Sequence, residues 1–369
     1  MKRFALITAV ALLLQACGGS DSSGGDPPES GTPVPQQCLR SVIEANLDSA
    51  LQVVSTDVDF SFYLEDINGD SYEFNRGSST LQTPYESAST SKWVSAAIIM
   101  QLVDVGLLSL DDSPQDFLNA ESWPVENDDP LAAITLRQLL SFTSGLTEDA
   151  LCSNLPNADY FACVATTAER NIGNGEVPGE TFNYGSAHLQ VAGAMAIEAL
   201  DENSWAALFT NFKSLTGLFP NSSYNLPSTS NPRLAGGMTW TAEDYINFIR
   251  AFRDVDFYTS DMVVNQIASD QLSEANIGNS PALSGIGEDW HYGFGVWIEC
   301  HQNPFSESAC TPEQQISSPG AYGAYPFLNR EEGYFGIVAR QGELGTFREG
   351  YALFDGVRDL VEDWAACSR

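Results

Sequence analysis

The 369-residue sequence predicts a mixed α/β (α+β) protein in which an antiparallel sheet, flanked by helices, adjoins a mainly helical lobe. Two observations carry this. Segments rich in Tyr, Phe, Val and Ile, with Gly punctuation, lie near the start and again near the end, whereas helical periodicities dominate between them. Strands at both ends with helices between imply one sheet assembled from the two ends of the chain. Apolar residues make up 43% of the sequence, ample for a buried core.

In chain order, residues 40–54 place Val42, Ile43, Leu47, Leu51 and Val54 at helical spacing, so an amphipathic helix opens the folded region. Residues 58–65 and 71–76 read as strands. Between them Asn68-Gly69-Asp70 is a hairpin turn, because Asn and Gly tolerate positive φ. A long helix is expected from Ser91 to about Leu107, with Val94, Ile98, Ile99, Leu102 and Val103 inward and a stop at Gly106. Residues 110–290 mix short helical patterns with Pro-, Asn- and Ser-rich loops. Strands follow at 292–299, 321–328 and 334–340, with Asn329 to Gly333 turning between the last two, and a helix over about Ala352 to Cys367 closes the chain. There is no internal repeat.

Ahead of the folded part, Phe4 to Leu14 is an apolar run behind Lys2 and Arg3, too short to span a bilayer and fit for a signal-peptide core. Leu14-Gln15-Ala16-Cys17 resembles the lipobox of bacterial lipoproteins. It implies removal of residues 1–16 and acylation of Cys17; an ordinary signal peptide with a chance cysteine is the alternative. Residues 17–37, almost devoid of apolar side chains, form a flexible tether, leaving 38–369 as the domain. The expected location is the bacterial cell envelope, lipid-anchored on the periplasmic side. Gly18 lacks the aspartate associated with inner-membrane retention, which points to the outer membrane.

Of seven cysteines, six remain if Cys17 is lipidated, an even number in a compartment that permits disulfides. Spacing suggests Cys152 with Cys163, Cys300 with Cys310 and Cys38 with Cys367, although six cysteines allow fifteen connectivities. No C-x-x-C occurs and the three histidines are scattered, so no metal site is expected. The net charge of −33 argues against nucleic acid as a partner and identifies no substrate.

The chemistry centres on Ser89-Thr90-Ser91-Lys92. A serine at a helix start and a lysine one turn later share a face, and a partly buried lysine of lowered pKa can take the hydroxyl proton. The helix N-terminus adds backbone N–H groups suited to a developing oxyanion. Lysines are scarce, and apart from Lys2 only Lys92 and Lys213 occur, so this S-x-x-K stands out. A solvated lysine on an exposed helix is the plainer reading of the tetrapeptide alone.

Ala88-Ser89-Thr90-Ser91-Lys92, Met100-Gln101-Leu102-Val103 and Gly106-Leu107-Leu108-Ser109-Leu110-Asp111-Asp112 together resemble the serine β-lactamase and penicillin-binding-protein superfamily, for which S-x-x-K is a signature. The class C branch and its family VIII esterase relatives look nearest. Further blocks fall in the family's order: Ile134 to Leu146, with Phe142 where histidine is usual; Pro178 to Ser186; Ala235-Gly236-Gly237-Met238 with Thr241 to Asp244; and Tyr292 to Trp297.

The resemblance implies a β-lactamase/transpeptidase-like fold, an acyl-serine mechanism without cofactor and a small-molecule acyl substrate. It makes Tyr184 the candidate general base and acid, its phenolate stabilised by Lys92. Ser186, where asparagine is common, is a weaker substrate or Lys92 contact. The third motif maps to Ser318-Pro319-Gly320, where Ser318 replaces the usual cation, and the N–H groups of Ser89 and Ala321 would form the oxyanion hole. A mere turn is the alternative there. His188, His291 and His301 sit in no motif and read as structural. The missing cation favours an ester or amide substrate, with a β-lactamase or D,D-peptidase, and a non-catalytic binding lipoprotein, as the alternatives; oligomeric state stays open.

Overall fold

The turn chemistry at Asn68-Gly69-Asp70 closes as expected. Gly69 adopts φ +82°, and the Asp66 N–H donates to the Asp70 carbonyl at 3.0 Å to close the hairpin's end. The computed structural model that shows this describes residues 38–310 and 315–367; the segments expected to be a signal peptide and a tether, with Cys17, lie outside the described residues.

The hairpin strands, Phe60–Asp66 and Ser71–Arg76, join the C-terminal strands in one seven-stranded antiparallel sheet among the described residues. Its order is Ser71–Arg76, Phe60–Asp66, Tyr334–Arg340, Tyr325–Asn329, Gln315–Ser317, Trp297–Ile298 and His291–Tyr292. Phe62 stands opposite both Val338 and Phe74. The sheet is thus built from both ends of the chain. Phe60–Asp66 and Tyr334–Arg340 are buried along their whole length, which is why neither shows the alternation of a half-exposed strand.

Several boundaries differ from the sequence reading. The segment 292–299 comprises parts of two short strands separated by residues 293–296, where Gly295 takes φ +73° and an added Cβ would lie 2.6 Å from the Lys92 carbonyl. The strand expected at 321–328 begins only at Tyr325, because residues 320–323 form a turn. The closing helix is two, Phe347–Asp355 and Arg358–Ala366, broken after Gly356. In the opening helix, Arg40–Val53, Leu47 and Leu51 are buried as expected while Val42 faces solvent. That helix is pinned by Arg40, which pairs with Asp66 and Asp70 and lies 4.1 Å over the Trp364 ring.

The helix Ser91–Asp104 is buried almost all round, as befits one whose apolar residues form no single stripe. Trp93 packs edge-on against Phe248 and Phe252 of the helix Ala242–Arg253. Disulfides join Cys152 to Cys163 and Cys300 to Cys310, with Cα separations of 5.8 and 4.9 Å, inside the normal range. Cys38 and Cys367 are also disulfide-bonded.

Candidate active site

Ser89 occupies a short 3₁₀ turn, Ala88–Thr90, that feeds directly into the helix Ser91–Asp104. The turn is tightly specified. Ala88 sits at φ +45°, a region costly for any residue with a Cβ, and the neighbours hold it there: Tyr245 Oη donates to the Thr90 carbonyl at 2.8 Å and Ser87 N–H donates to Met238 O at 2.8 Å. The hydroxyl is therefore presented at a strained corner.

Lys92, 3% exposed, places Nζ 2.9 Å from Ser89 Oγ and 2.9 Å from the carbonyl of Ala235. Burial strips the ammonium of water and lowers its pKa to about 7, with the positive charge of Arg233 adding to the fall and Asp149 opposing it. Near neutrality much of this amine is therefore unprotonated, and able to accept the proton of Ser89.

Tyr184 follows the strand Thr181–Asn183, which pairs in parallel with Asn276–Asn279. Asn279 holds the tyrosine backbone from both sides, accepting from its N–H at 2.9 Å and donating to its carbonyl at 2.8 Å. The ring stacks on Trp297 at 5.0 Å and lies 4.6 Å from Lys92 Nζ. Desolvation pushes the phenol up to about 12, moderated by hydrogen bonding with Ser89 and Trp297. At neutral pH it is a phenol and not a phenolate, so among these two groups the lysine is the better base and the tyrosine a proton donor.

His188, in the helix Ala187–Ala199, is wholly buried and pushed down to about 4 by desolvation. Its Nε2 lies 2.8 Å from the Asn183 carbonyl, which requires a donor there, so Nδ1 accepts from Ser144 Oγ at 2.8 Å. Phe142 stacks on it at 4.7 Å. The histidine thus braces the segment before Tyr184. His291 bonds Asp270 and His301 pairs with Glu288.

The third-motif segment works mainly through its backbone. Ser318 Oγ donates to the Ser89 carbonyl at 3.1 Å, so it buttresses the serine turn. At Gly320 an added Cβ would lie 2.5 Å from the Ser87 carbonyl; only glycine permits this approach. Ala321 thereby reaches the same cavity as Ser89. Neither its N–H nor that of Ser89 donates to a backbone carbonyl among the described residues. Ser186 is brought less close: its N–H donates to Asp149 at 3.1 Å, and Lys92 spends its bonds on Ser89 and Ala235 instead.

Beside Ser89 lies a cavity of about 120 Å³ walled by Tyr184, Trp290, Trp297, Phe347 and Pro281. Among the described residues no charged side chain lines it. Trp290 and Phe347, like the acceptor carbonyl of Ala235 and the clamp Asn279, went unassigned in the sequence. Only Ala235 carried a local signal, its Gly-Gly block.

Together the seven-stranded sheet, the buried S-x-x-K helix set against it and the helical segments define the β-lactamase/transpeptidase-like fold. The Beta-lactamase family model matches residues 66–352, most of the chain, and the protein belongs to that family. It is similar to a putative β-lactamase from Bacteroides dorei, with 27% identity and a TM-score of 0.68 over 87% of this chain and 97% of that one. EstCE1, a hydrolase with promiscuous acyltransferase activity, superposes with a TM-score of 0.68 over 88% of this chain and 98% of its own; at 15% identity it speaks to the fold alone. Penicillin-binding protein 4 of Amycolatopsis lactamdurans is 29% identical over 126 residues, 34% of this chain, and the match spans about a third (32%) of that protein's length.

Proposed function

We propose that the protein is a serine hydrolase that cleaves a small ester or amide through an acyl-serine intermediate. The observation that carries this is the 2.9 Å contact between Ser89 Oγ and the buried Lys92 Nζ, whose lowered pKa makes it a base near neutral pH. Neutral Lys92 takes the hydroxyl proton as Ser89 Oγ attacks the substrate carbonyl. The oxyanion is met by the N–H groups of Ser89 and Ala321. On collapse the bond to the leaving group breaks, and that group leaves with a proton delivered from Lys92 through Tyr184. Water gives a proton to the regenerated amine as it attacks the acyl carbonyl; the bond to Ser89 Oγ then breaks, the proton passes from Lys92 back to Ser89 Oγ, and the acid leaves.

The uncharged cavity beside Ser89 suits a small apolar acyl group and offers no counter-charge to a carboxylate. This favours esters and amides over β-lactams and cell-wall peptides. The β-lactamase or D,D-peptidase reading retains support from the Bacteroides dorei and Amycolatopsis lactamdurans relatives. Purified protein offered p-nitrophenyl esters and nitrocefin is expected to turn over the ester; rapid nitrocefin hydrolysis without ester hydrolysis would reverse the ordering. A fluorophosphonate probe is expected to label wild type and not Ser89→Ala. Absence of Ser89-dependent labelling would favour a binding lipoprotein. We also propose that acylated Cys17 anchors the domain at the cell envelope, so that Cys17→Ser is released from the membrane fraction; retention would rule the anchor out.

A further inference from the structure

Asp149 lies five residues beyond Ser144, in no recognised motif, and its side chain is solvent-exposed. Yet Oδ1 accepts from the N–H groups of Ser186 at 3.1 Å and Ala187 at 2.7 Å. These are the first donors of the helix Ala187–Ala199, whose own flanking residue Ser186 supplies no side-chain cap. The carboxylate therefore closes a helix end two residues after Tyr184, and its charge adds to the favourable field there.

The loop that bears Asp149 is fixed at its far side. Cys152 is bridged to Cys163, and the carbonyls of Cys152 and Leu155 each accept from the buried Asn231 Nδ2 at 3.0 Å. Asn154 Oδ1 accepts from Arg233 at 3.1 Å. Two residues on is Ala235, whose carbonyl accepts from Lys92. One braced loop thus touches both the segment that carries Tyr184 and the segment that receives Lys92. Among the described residues, the charged groups whose fields reach Lys92 are Asp149 and Arg233; its neighbours Tyr184 and His188 are neutral at pH 7.

We propose that Asp149 is a positioning residue of the Ser89 site: its carboxylate holds the chain immediately beyond Tyr184, and its negative charge balances Arg233 at Lys92. The proposal rests on the reading of Ser89 as nucleophile and Lys92 as base, and it separates geometry from charge. Asparagine caps a helix as well as aspartate, so Asp149→Asn keeps the clamp and loses only the charge.

The chain's three lysines, Lys2, Lys92 and Lys213, make ¹³Cε-lysine NMR a direct readout that needs no turnover. In Asp149→Asn the Lys92 titration midpoint is expected at lower pH than in wild type, and the acid limb of the pH profile for Ser89 labelling by a fluorophosphonate moves with it, while the melting temperature falls only by the small amount that loss of the charge at the helix end accounts for. Arg233→Gln is expected to move the midpoint the opposite way. A Lys92 midpoint unmoved in a normally folded Asp149→Asn, or displaced in the same direction in both variants, would overturn the proposal. Failure of the underlying reading looks different, since wild type would then show no Ser89-dependent labelling at all.

Discussion

In the proposed hydrolase the two sides of the cavity contribute by different means. On the Ser89 side, side chains supply the chemistry: a hydroxyl, a dehydrated amine and a phenol meet within hydrogen-bonding or ring-contact distance. On the Ser318–Ala321 side the contribution is backbone, brought in by a glycine with no room for a Cβ, while the serine side chain turns away to support its neighbour. A residue whose side chain acts is constrained by identity, and one whose backbone acts is constrained by shape. On the function proposed above, the missing cation of the third motif bears on substrate preference, while the close backbone approach at Gly320 does not depend on it.

The sharpest way to break this contrast is to remove the side-chain chemistry. Ser89→Ala is expected to lower ester hydrolysis by about 10⁴-fold or more, to the background set by binding and the oxyanion hole. Lys92→Met should cost about 10³-fold in kcat and at the same time stabilise the fold by a few kcal/mol at neutral pH. The sign follows from burial: the unfolded chain holds the lysine proton up to the ordinary value of 10.5 while the folded chain releases it near 7, so the cost is full below pH 7 and gone above 10.5. Denaturant melts at pH 7 and above pH 10.5 measure it, and an unchanged midpoint at pH 7 would mean the lysine is better solvated than its 3% exposure implies.

On the backbone side, Gly320→Ala should displace Ala321 and cost about 10²-fold, whereas Ser318→Ala, losing one hydrogen bond worth about 1 kcal/mol, should cost less than about 10-fold. Equal losses would erase the distinction between the two sides. The mildest test is the pH profile. The active amine is the neutral one, so kcat/KM should rise through about pH 7 and stay level well into the alkaline range, because Tyr184 keeps its proton until about 12.

The same contrast governs how much was legible in the sequence. Ser89 and Lys92 declare themselves by residue type and spacing, and the strands at both ends by composition. The strand Gln315–Ser317 is too short to show a period, and the break at Gly356 interrupts a pattern that reads as continuous. Val42 was placed inward by spacing, but the helix is held by Arg40 and the buried Leu47 and Leu51, which leave it outside. Asn279 and Asp149 could not be found at all, because each acts on a partner far along the chain.

The near absence of lysine has a practical side as well. Lys92 is sealed against the serine turn, and Lys213, the other lysine among the described residues, lies partly exposed with its Nζ on the Ser222 carbonyl. Among the described residues, amine-directed coupling to a solid support has in effect one side chain to choose from, so molecules held through Lys213 would all present the cavity in the same orientation.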